Sequence, residues 1–259
     1  MSHPTDPHLA DSAGQPWKGR HFAAHDTTHD TDDGAAPPLL LAALTSFAGG
    51  EAGQVDVVDA LRDVRLLVPL VAHAGDEGVT EAGLRVDKTQ ELSLVTVAGP
   101  DGRTVLPAFS SVDALSRWNP SARPIPVEAR RVALAAAAEG TELVVIDPAS
   151  PTEFALRRPM VWALAQGEPW VPALADPAVA GAFELSVADE VVVAGVRLVA
   201  GDPHARLAGA EVVVVLALAP GLDQEALGAL MARLQQRWSE HPLIAERVDS
   251  LSVRLTAVS

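Results

Sequence analysis

The sequence predicts an α+β fold, with a mixed sheet and helices in an N-terminal module followed by a small ββαβ module. Two observations lead to this prediction. The turn sequence GPDG at 99–102 separates two β-rich runs, 92–98 and 103–109, as a β-hairpin requires. Further along the chain, the β-rich runs 191–200 and 212–219 precede a long helical pattern and a last alternating run, which gives the order ββαβ.

The N-terminal module, residues 38–167, opens with two helical patterns and a strand. Apolar residues at helical spacing over 39–47 precede a Gly-Gly pair, which predicts a first helix, and a second short helix is predicted over 55–62. The apolar run 66–72 has the length of a strand. Because proline cannot donate to a sheet ladder, Pro69 places this strand near an edge or a bulge.

Two helices are predicted after the hairpin. Ser110 is expected to cap a helix that runs to Trp118, because a serine oxygen can accept a backbone N–H at a helix start. Pro126 is expected to open the following helix, which extends through Ala138.

A buried strand is predicted over 142–147, with a helix directly after it. Residues 150–153, SPTE, have the form of a capping box with proline at the first helical position. Pro159 then restarts or kinks this helix before Gly167.

Composition marks the remaining boundaries. Residues 1–37 are rich in His, Asp, Thr, Pro and Gly and lack an apolar period, which predicts a disordered tail. The proline-rich stretch 168–180 is the predicted linker, and residues 181–259 form the ββαβ module. The helix of this second module is expected to run from Asp223 to about Glu240.

The charge and the missing cysteines exclude several kinds of partner and chemistry. A net charge of −15 disfavours nucleic acid and anionic membrane surfaces, which both bind clustered Lys and Arg. The absence of cysteine excludes disulfides, thiolate nucleophiles and zinc-thiolate sites. The N-terminus lacks the segments of a signal peptide, and the apolar run 212–219 is far shorter than the ~20 residues of a membrane helix. We therefore expect a cytoplasmic protein; the oligomeric state does not follow from the sequence.

Reactive side chains are few and scattered. No nucleotide, zincin or hydrolase motif occurs, so we predict no catalytic, cofactor-binding or metal-binding residue and no enzyme. His21, His25 and His29 would share one face of a helix and could hold a metal, but the segment is poor in helix formers, and weak chelation by a flexible tail is the alternative. Asp147, at the end of a buried strand, and His204, in the sequence Asp-Pro-His, are candidate polar groups that also suit ordinary turns.

Arg157, Arg158 and Trp170 are the candidate partner-binding residues. Arg and Trp anchor interfaces more often than other residue types do, and a pair of arginines is notable in a chain this acidic. The alternative is that the tryptophans belong to the core and the arginines cap carbonyls at a helix end.

Three stretches of the sequence resemble the SseB family of bacterial proteins, especially its actinobacterial members. They are GRTVLPAFSSVDALSRW at 102–118, TELVVIDPASPTEFALRRPMVWALAQG at 141–167 and, more loosely, residues 216–258. The resemblance implies an SseB-like N-terminal domain followed by an SseB C-terminal-like domain. These stretches are structural signatures without catalytic residues, so the resemblance implies no residue roles.

Together these observations favour a non-enzymatic cytosolic protein-interaction or regulatory module that binds another protein through an exposed apolar and Arg-containing patch. The alternative is a metabolite sensor or an enzyme, in which polar groups such as Asp147 or His204 converge between the two modules. A deep cavity in which ionisable groups meet would favour the alternative.

Overall fold

The computed structural model describes residues 32–70, 78–79, 85–86 and 95–258. Residues Gly34–Ser259 belong to one compact unit. Most of the predicted tail, including His21, His25 and His29, lies outside the described residues, so the metal hypothesis for these histidines stays untested.

The first part of the chain combines helices and short strands, as predicted. Its helices are α1 (Pro38–Ala48), α2 (Gln54–Ala60), α3 (Val112–Trp118), α4 (Ala129–Ala138) and α5 (Arg158–Gln166). Its strands are β1 (Arg65–Leu70), β2 (Gly78–Val79), β3 (Arg85–Val86), β4 (Val97–Ala98), β5 (Thr104–Ala108), β6 (Arg123–Glu128), β7 (Val144–Ile146) and β8 (Phe154–Leu156). The α+β class is therefore confirmed.

A four-stranded mixed sheet with the order β4-β5-β7-β8 lies at the centre of this part. β4 and β5 form the predicted antiparallel hairpin, with Gly102 at a φ of +80°, a backbone conformation that glycine adopts without strain. β5 and β7 are parallel, so their carboxyl ends meet at one edge of the sheet. β1 pairs with β6 and contacts the end of β5 through a bridge between Leu67 and Phe109.

Two predicted helix starts in this part are wrong. Ser111, rather than Ser110, caps α3, and its Oγ accepts a hydrogen bond from the N–H of Ala114 at 3.1 Å. Pro126 lies in strand β6 opposite Leu67, and α4 begins only at Ala129. β6 pairs only with β1 among the described strands, so the missing N–H of proline is tolerated at this sheet edge.

The predicted capping box at 150–153 is also wrong, because these residues form a turn that leads into β8. The N–H of Thr152 donates to Ser150 Oγ at 3.1 Å, and the N–H of Ala149 donates to Glu153 Oε2 at 2.6 Å. The side chains therefore satisfy backbone groups of the turn instead of a helix start. Helix α5 begins later, at Arg158, and Gly167 ends it at a φ of +77°.

The second part of the chain is a three-stranded sheet with helices. It consists of α6 (Pro177–Val187), β9 (Val193–Ala200), β10 (Val212–Leu218), α7 (Gln224–Glu240), α8 (Pro242–Arg247) and β11 (Leu251–Ala257). The sheet order is β11-β10-β9, with β10 antiparallel to β9 and parallel to β11. The predicted ββαβ order is present, but the prediction missed α6 and α8.

Each part has its own hydrophobic core. The first core contains residues of α1, α2, β1, β5, α4, β7, β8 and α5, and it includes Trp170. The second contains alternate residues of β10, which pack against α6, α7 and α8 around Phe183 and Trp238. The predicted linker, 168–180, contributes Trp170 to the first core and Ala173 to the second, so it is packed at both ends. Among the helices described, none is long and apolar enough to cross a membrane.

Candidate functional site

Asp147 lies where the sequence placed it, at the end of β7, but its carboxylate is fully engaged in the fold. It is 2% exposed, and it accepts hydrogen bonds from the N–H and the Oγ of Ser110 at 2.8 and 2.7 Å. Thr152 Oγ1 donates to the same carboxylate at 3.2 Å. Since Ser110 follows β5 and Asp147 follows β7, the parallel pairing brings them together. The arrangement joins two strand ends and keeps the Asp147 carboxylate away from solvent.

His204 is exposed, and it makes no hydrogen bond or ion pair within the described residues. Its neighbour Asp202 is buried and points to a different partner, Arg157. The structure therefore does not bring Asp147 and His204 together, nor does it pair His204 with Asp202. Within the described part of the chain, no group of His, Asp or Glu side chains could hold a metal ion.

Arg157 is the most extensively bonded side chain of the predicted set. It is 2% exposed, and its Nη2 donates to Asp202 Oδ2 at 2.6 Å and to the carbonyl oxygen of Gly209 at 2.8 Å. Its Nη1 donates to Asp249 Oδ2 at 3.0 Å and to Ser250 Oγ at 3.1 Å. Arg157 stands at the end of β8, whereas its acceptors lie in the second part of the chain. A guanidinium held in this way is not available for direct contact with a partner.

Sequence reasoning missed Arg103 and Asp249, which complete this network. Arg103, which precedes β5, forms a bidentate ion pair with Asp249, and both N···O distances are 3.0 Å. Burial alone would raise the pKa of Asp249, but the hydrogen bonds and charges of Arg103 and Arg157 outweigh it and hold the pKa below its ordinary value. We call Arg103, Arg157, Asp202 and Asp249 the arginine–aspartate network. No local signal in the sequence connects residues this far apart along the chain.

Glu211 lies beside this network, and its pKa is shifted upward, in the opposite direction to that of Asp249. Its Oε2 accepts a hydrogen bond from the N–H of Asp249 at 2.6 Å. Burial raises the pKa of Glu211 to about 6, and this hydrogen bond only partly offsets the effect. The negative charge of Asp249 adds to the increase. Glu211 is therefore a carboxyl group that titrates close to neutral pH.

A cavity of about 470 Å³ lies next to Asp249, and we call it the Trp238 cavity. It is lined by Glu142, Arg158, Gln235, Trp238, Ser239, Ile244, Ala245, Val248, Asp249, Ser250 and Leu251. Its volume is within the range of ligand sites, roughly 300–1,000 Å³. Its charged groups already have partners, because Arg158 donates to the carbonyl oxygen of Val248 at 2.6 Å and Asp249 binds two arginines.

Of the last two predicted residues, Trp170 lines a smaller depression on the surface, and Arg158 contacts Trp162, another residue of its lining. The guanidinium of Arg158 stacks 5.4 Å from the ring centre of Trp162. A depression of about 270 Å³ is lined by Pro159, Trp162, Ala163, Gln166, Glu168, Pro169, Trp170, Val171, Glu246 and Arg247, and we call it the tryptophan groove. Val171 on its rim is 43% exposed.

Trp170 differs from the other buried tryptophan in how its indole N–H is satisfied. Trp170 is 7% exposed, and its Nε1 has no hydrogen-bond partner. Trp238 is also buried, but its Nε1 donates to Ser186 Oγ at 2.7 Å. A buried donor without an acceptor costs ~1–3 kcal/mol. The indole of Trp170 is therefore a buried donor for which the described residues provide no acceptor.

The alternative interpretation is that the tryptophans belong to the core and the arginines cap carbonyls at a helix end, and the structure agrees with it in part. Trp170 belongs to the first core, and Arg158 caps a carbonyl at the end of α8. The carbonyl oxygens at the end of α5 are instead bound by arginines from elsewhere: Arg62 reaches the carbonyl oxygen of Gly167 at 3.1 Å, and Arg130 reaches that of Ala165 at 2.9 Å.

The described residues thus define an α+β protein with two large hydrophobic clusters, two smaller ones, a largely buried ionic network and several surface depressions. Residues 40–163 match the family model of the SseB protein N-terminal domain. This match supports the resemblance to the SseB family over that part of the chain. The SseB C-terminal-like domain and the actinobacterial type stay predictions. No curated protein and no solved structure matches the chain.

Proposed function

We propose that this protein is a protein-interaction module of the SseB type, and that the tryptophan groove is its binding surface. The observation that carries the proposal is the apolar surface of this groove, in which Val171 is 43% exposed and Trp162 is half-buried. Tryptophan is the residue type most often found at the energetic centre of interfaces, where its ring is buried by the partner and its N–H is bonded.

The surface next to the groove supports the same function. Leu174, in the 3-10 helix Ala173–Ala175 that follows the groove, is 45% exposed. Together with Val171 it extends the apolar rim beyond the depression itself. Adjacent exposed apolar side chains favour contact with another protein, because burying them removes apolar area from water.

The predicted roles of the three partner-binding candidates change accordingly. Arg157 holds the fold together from inside, since both of its terminal nitrogens are occupied. Arg158 positions Trp162 by stacking on its ring. Trp170 is buried in the first core, so Trp162 and Val171 are the groove residues proposed for direct contact.

Affinity capture with matched surface variants tests this proposal. Val171→Asp places a charge on the rim of the groove, and Val191→Asp is the control because Val191 is 96% exposed and does not line the groove. We expect a protein from the source cell lysate to be retained by the wild type and by Val191→Asp and to be lost with Val171→Asp. If every retained protein binds all forms equally, the tryptophan groove is not the binding surface.

The Trp238 cavity favours a second candidate function, that of a metabolite sensor. Its volume of about 470 Å³ and its mainly apolar walls around Trp238 suit a small ligand with one polar end. A ligand that binds only the folded state raises the melting temperature. Ala245 is an exposed residue of the cavity, so Ala245→Phe narrows it without disturbing the core. The sensor function requires a metabolite that stabilises the wild type but not Ala245→Phe.

A further inference from the structure

The three-stranded sheet of the second part has one face in the hydrophobic core and one face outside it. Val212, Val214 and Leu216 of β10 pack in the second core, whereas Val213 and Val215 belong to none of the hydrophobic clusters of the described residues. We call this second face the outer sheet face. Its rows, taken across β9, β10 and β11, are Val199, Val213 and Ser252, then Arg197, Val215 and Arg254, then Gly195, Ala217 and Thr256.

The two arginines of this face indicate what it binds. Independently of the tryptophan groove, we infer that the outer sheet face binds an acidic segment of a partner protein, and that carboxylates of this segment pair with Arg197 and Arg254. Three observations lead to this inference: both arginines are unpaired, they flank the same residue, and no acidic residue occurs in the three strands.

Arg197 and Arg254 have no partner within the described part of the chain. Both are exposed, and neither forms a hydrogen bond or an ion pair with another described residue. The arginines of the neighbouring helix α7 differ from them, since Arg233 and Arg237 both pair with Glu190. A guanidinium is always charged and offers five N–H donors, and a carboxylate is the acceptor that matches its geometry best.

The register of the sheet places the two arginines on either side of one valine. Val215 lies opposite Arg197 on β9 and opposite Arg254 on β11, so the three side chains share one face. With neighbouring strands ~4.8 Å apart, the Cα atoms of the two arginines are separated by roughly 10 Å. Val215 is 6% exposed, so the floor between them is apolar, and an ion pair beside an apolar floor is stronger than one surrounded by water. The exposed hydroxyl of Ser252 adds another donor on this face.

No carboxylate of the strands competes for these arginines. Arg197 and Arg254 are the only charged residues of β9, β10 and β11. The segments that flank the strands contain the charged residues Asp189, Glu190, Asp202, Arg206, Glu211, Asp223 and Asp249.

These flanking charges are bound elsewhere or lie too far away. Asp202 and Asp249 bind Arg157, and Glu211 accepts the N–H of Asp249. Glu190 is paired with α7, and Asp223 caps the same helix. Asp189 precedes β9, and at ~3.3 Å per residue Arg197 lies ~13 Å beyond the start of that strand. That distance exceeds the Debye length of ~8 Å at physiological ionic strength.

The charges also disfavour other occupants of this face. A second copy of the chain on a two-fold axis would bring two cationic faces together, with no acidic residue in either set of strands to match them. Nucleic acid and anionic membranes are extended arrays of charge, and they are repelled by a chain of net charge −15. A short acidic segment meets mainly the local positive charge, because more distant charges are screened.

Reversing both charges separates a local effect from an effect of net charge. The test variant combines Arg197→Glu and Arg254→Glu. The matched control combines Arg117→Glu and Arg123→Glu, two exposed arginines of the first part that also form no hydrogen bond or ion pair within the described residues. Both variants change the net charge equally, and since none of the four arginines is bonded, we expect both to keep the melting temperature of the wild type.

The probe is a displayed library of random peptides, selected on the full-length wild type and counter-selected against the test variant. We expect the selected peptides to be rich in Asp and Glu, although the net charge of the protein favours basic peptides. They should bind the matched control and Val171→Asp like the wild type and should lose affinity at high salt. Arg254→Met alone should weaken binding about 1.4- to 5-fold, the equivalent of ~0.2–1 kcal/mol for one exposed ion pair.

Four results would overturn the inference: selected peptides that are not enriched in acidic residues, no selected peptide at all, equal loss of binding in the test variant and the matched control, or loss of binding with Val171→Asp. The last result would place the peptide in the tryptophan groove instead. The capture experiment with Val171→Asp tests the groove separately, so failure of either surface leaves the other standing.

Discussion

Replacing Arg157 by methionine is predicted to destabilise the fold strongly. Methionine retains an unbranched apolar stem but cannot donate hydrogen bonds. The substitution therefore removes the bonds from Arg157 to Asp202, Asp249, Ser250 and the carbonyl oxygen of Gly209.

The size of the effect follows from what remains around the two carboxylates. Asp249 keeps its ion pair with Arg103. Asp202 keeps only backbone donors, the N–H groups of Arg206 and Leu207 at 3.2 and 2.8 Å, although its side chain is 2% exposed. Removing one partner of a buried ion pair costs ~3–5 kcal/mol. At ~2–4 °C per kcal/mol for a domain of this size, the melting temperature should fall by about 6–20 °C.

Calorimetry and urea unfolding of four proteins measure this effect: the wild type, Arg157→Met, Asp202→Asn and the double variant. Asp202→Asn in the Arg157→Met background removes the charge that the first substitution leaves unpaired. We therefore expect the double variant to be more stable than the sum of the two single effects, by ~0.5–3 kcal/mol. Arg254→Met is the control, because Arg254 is exposed and its side chain makes no hydrogen bond or ion pair within the described residues.

Two results would refute this reasoning. One is a melting temperature of Arg157→Met that equals that of the Arg254→Met control. The other is strict additivity of the Arg157 and Asp202 substitutions, because an interacting buried pair has to show a coupling energy.

Two further predictions concern the surroundings of the same network. Because burial raises the pKa of Glu211 from 4.5 to about 6, its contribution to stability is present below pH 4.5 and is lost as the pH rises through 6. Glu211→Gln removes this loss, so urea unfolding should show the variant to be more stable than the wild type above pH 6, by up to ~2 kcal/mol. Below pH 4.5 the two proteins should be equally stable. A stability difference that does not change with pH would contradict the raised pKa of Glu211. Gly201→Ala places a Cβ atom 2.1 Å from the carbonyl oxygen of Ala210, which forces the loop that carries Asp202 to move and should cost ~1–3 kcal/mol. Its matched control is Gly195→Ala, where a Cβ atom meets nothing within 4 Å; equal stability of the two alanine variants would show that the loop adapts freely.

Sequence reasoning succeeded where a pattern is complete within a few residues. The hairpin around 99–102 and the helix capped by Asp223 were both predicted, and Asp223 Oδ1 accepts the N–H of Ala226 at 2.8 Å. The missed helix α6 carried the same kind of signal, because Asp176 accepts the N–H of Ala178 at 2.9 Å and Pro177 occupies the first turn. Pro177 also completes the proline-rich composition that predicts a linker, although proline is favoured at a helix start.

Errors arose where two local interpretations compete and a distant partner decides between them. Ser110 and Ser111 are both suitable caps for α3, and Ser110 is removed from this role because Asp147, from another strand, binds its N–H and its Oγ. Pro126 suits a helix start, but pairing of β6 with β1 places it opposite Leu67 in a strand. In both cases the preference of the single residue is weak and the tertiary contact is stronger.

By itself, the sequence determined the α+β class and most of the helices and strands. It also showed that the reactive groups are too scattered to form a recognisable catalytic motif. These properties depend on composition and on contacts between near neighbours. Only the tertiary structure decided which polar groups meet. Arg157 reaches Asp249 across 92 residues of chain, and Arg103 reaches it across 146. It also decided that Trp238 has a hydrogen-bond acceptor in Ser186, while the N–H of Trp170 has none among the described residues. Contacts of this kind depend on how the sheets and helices pack, and no short stretch of the sequence contains that information.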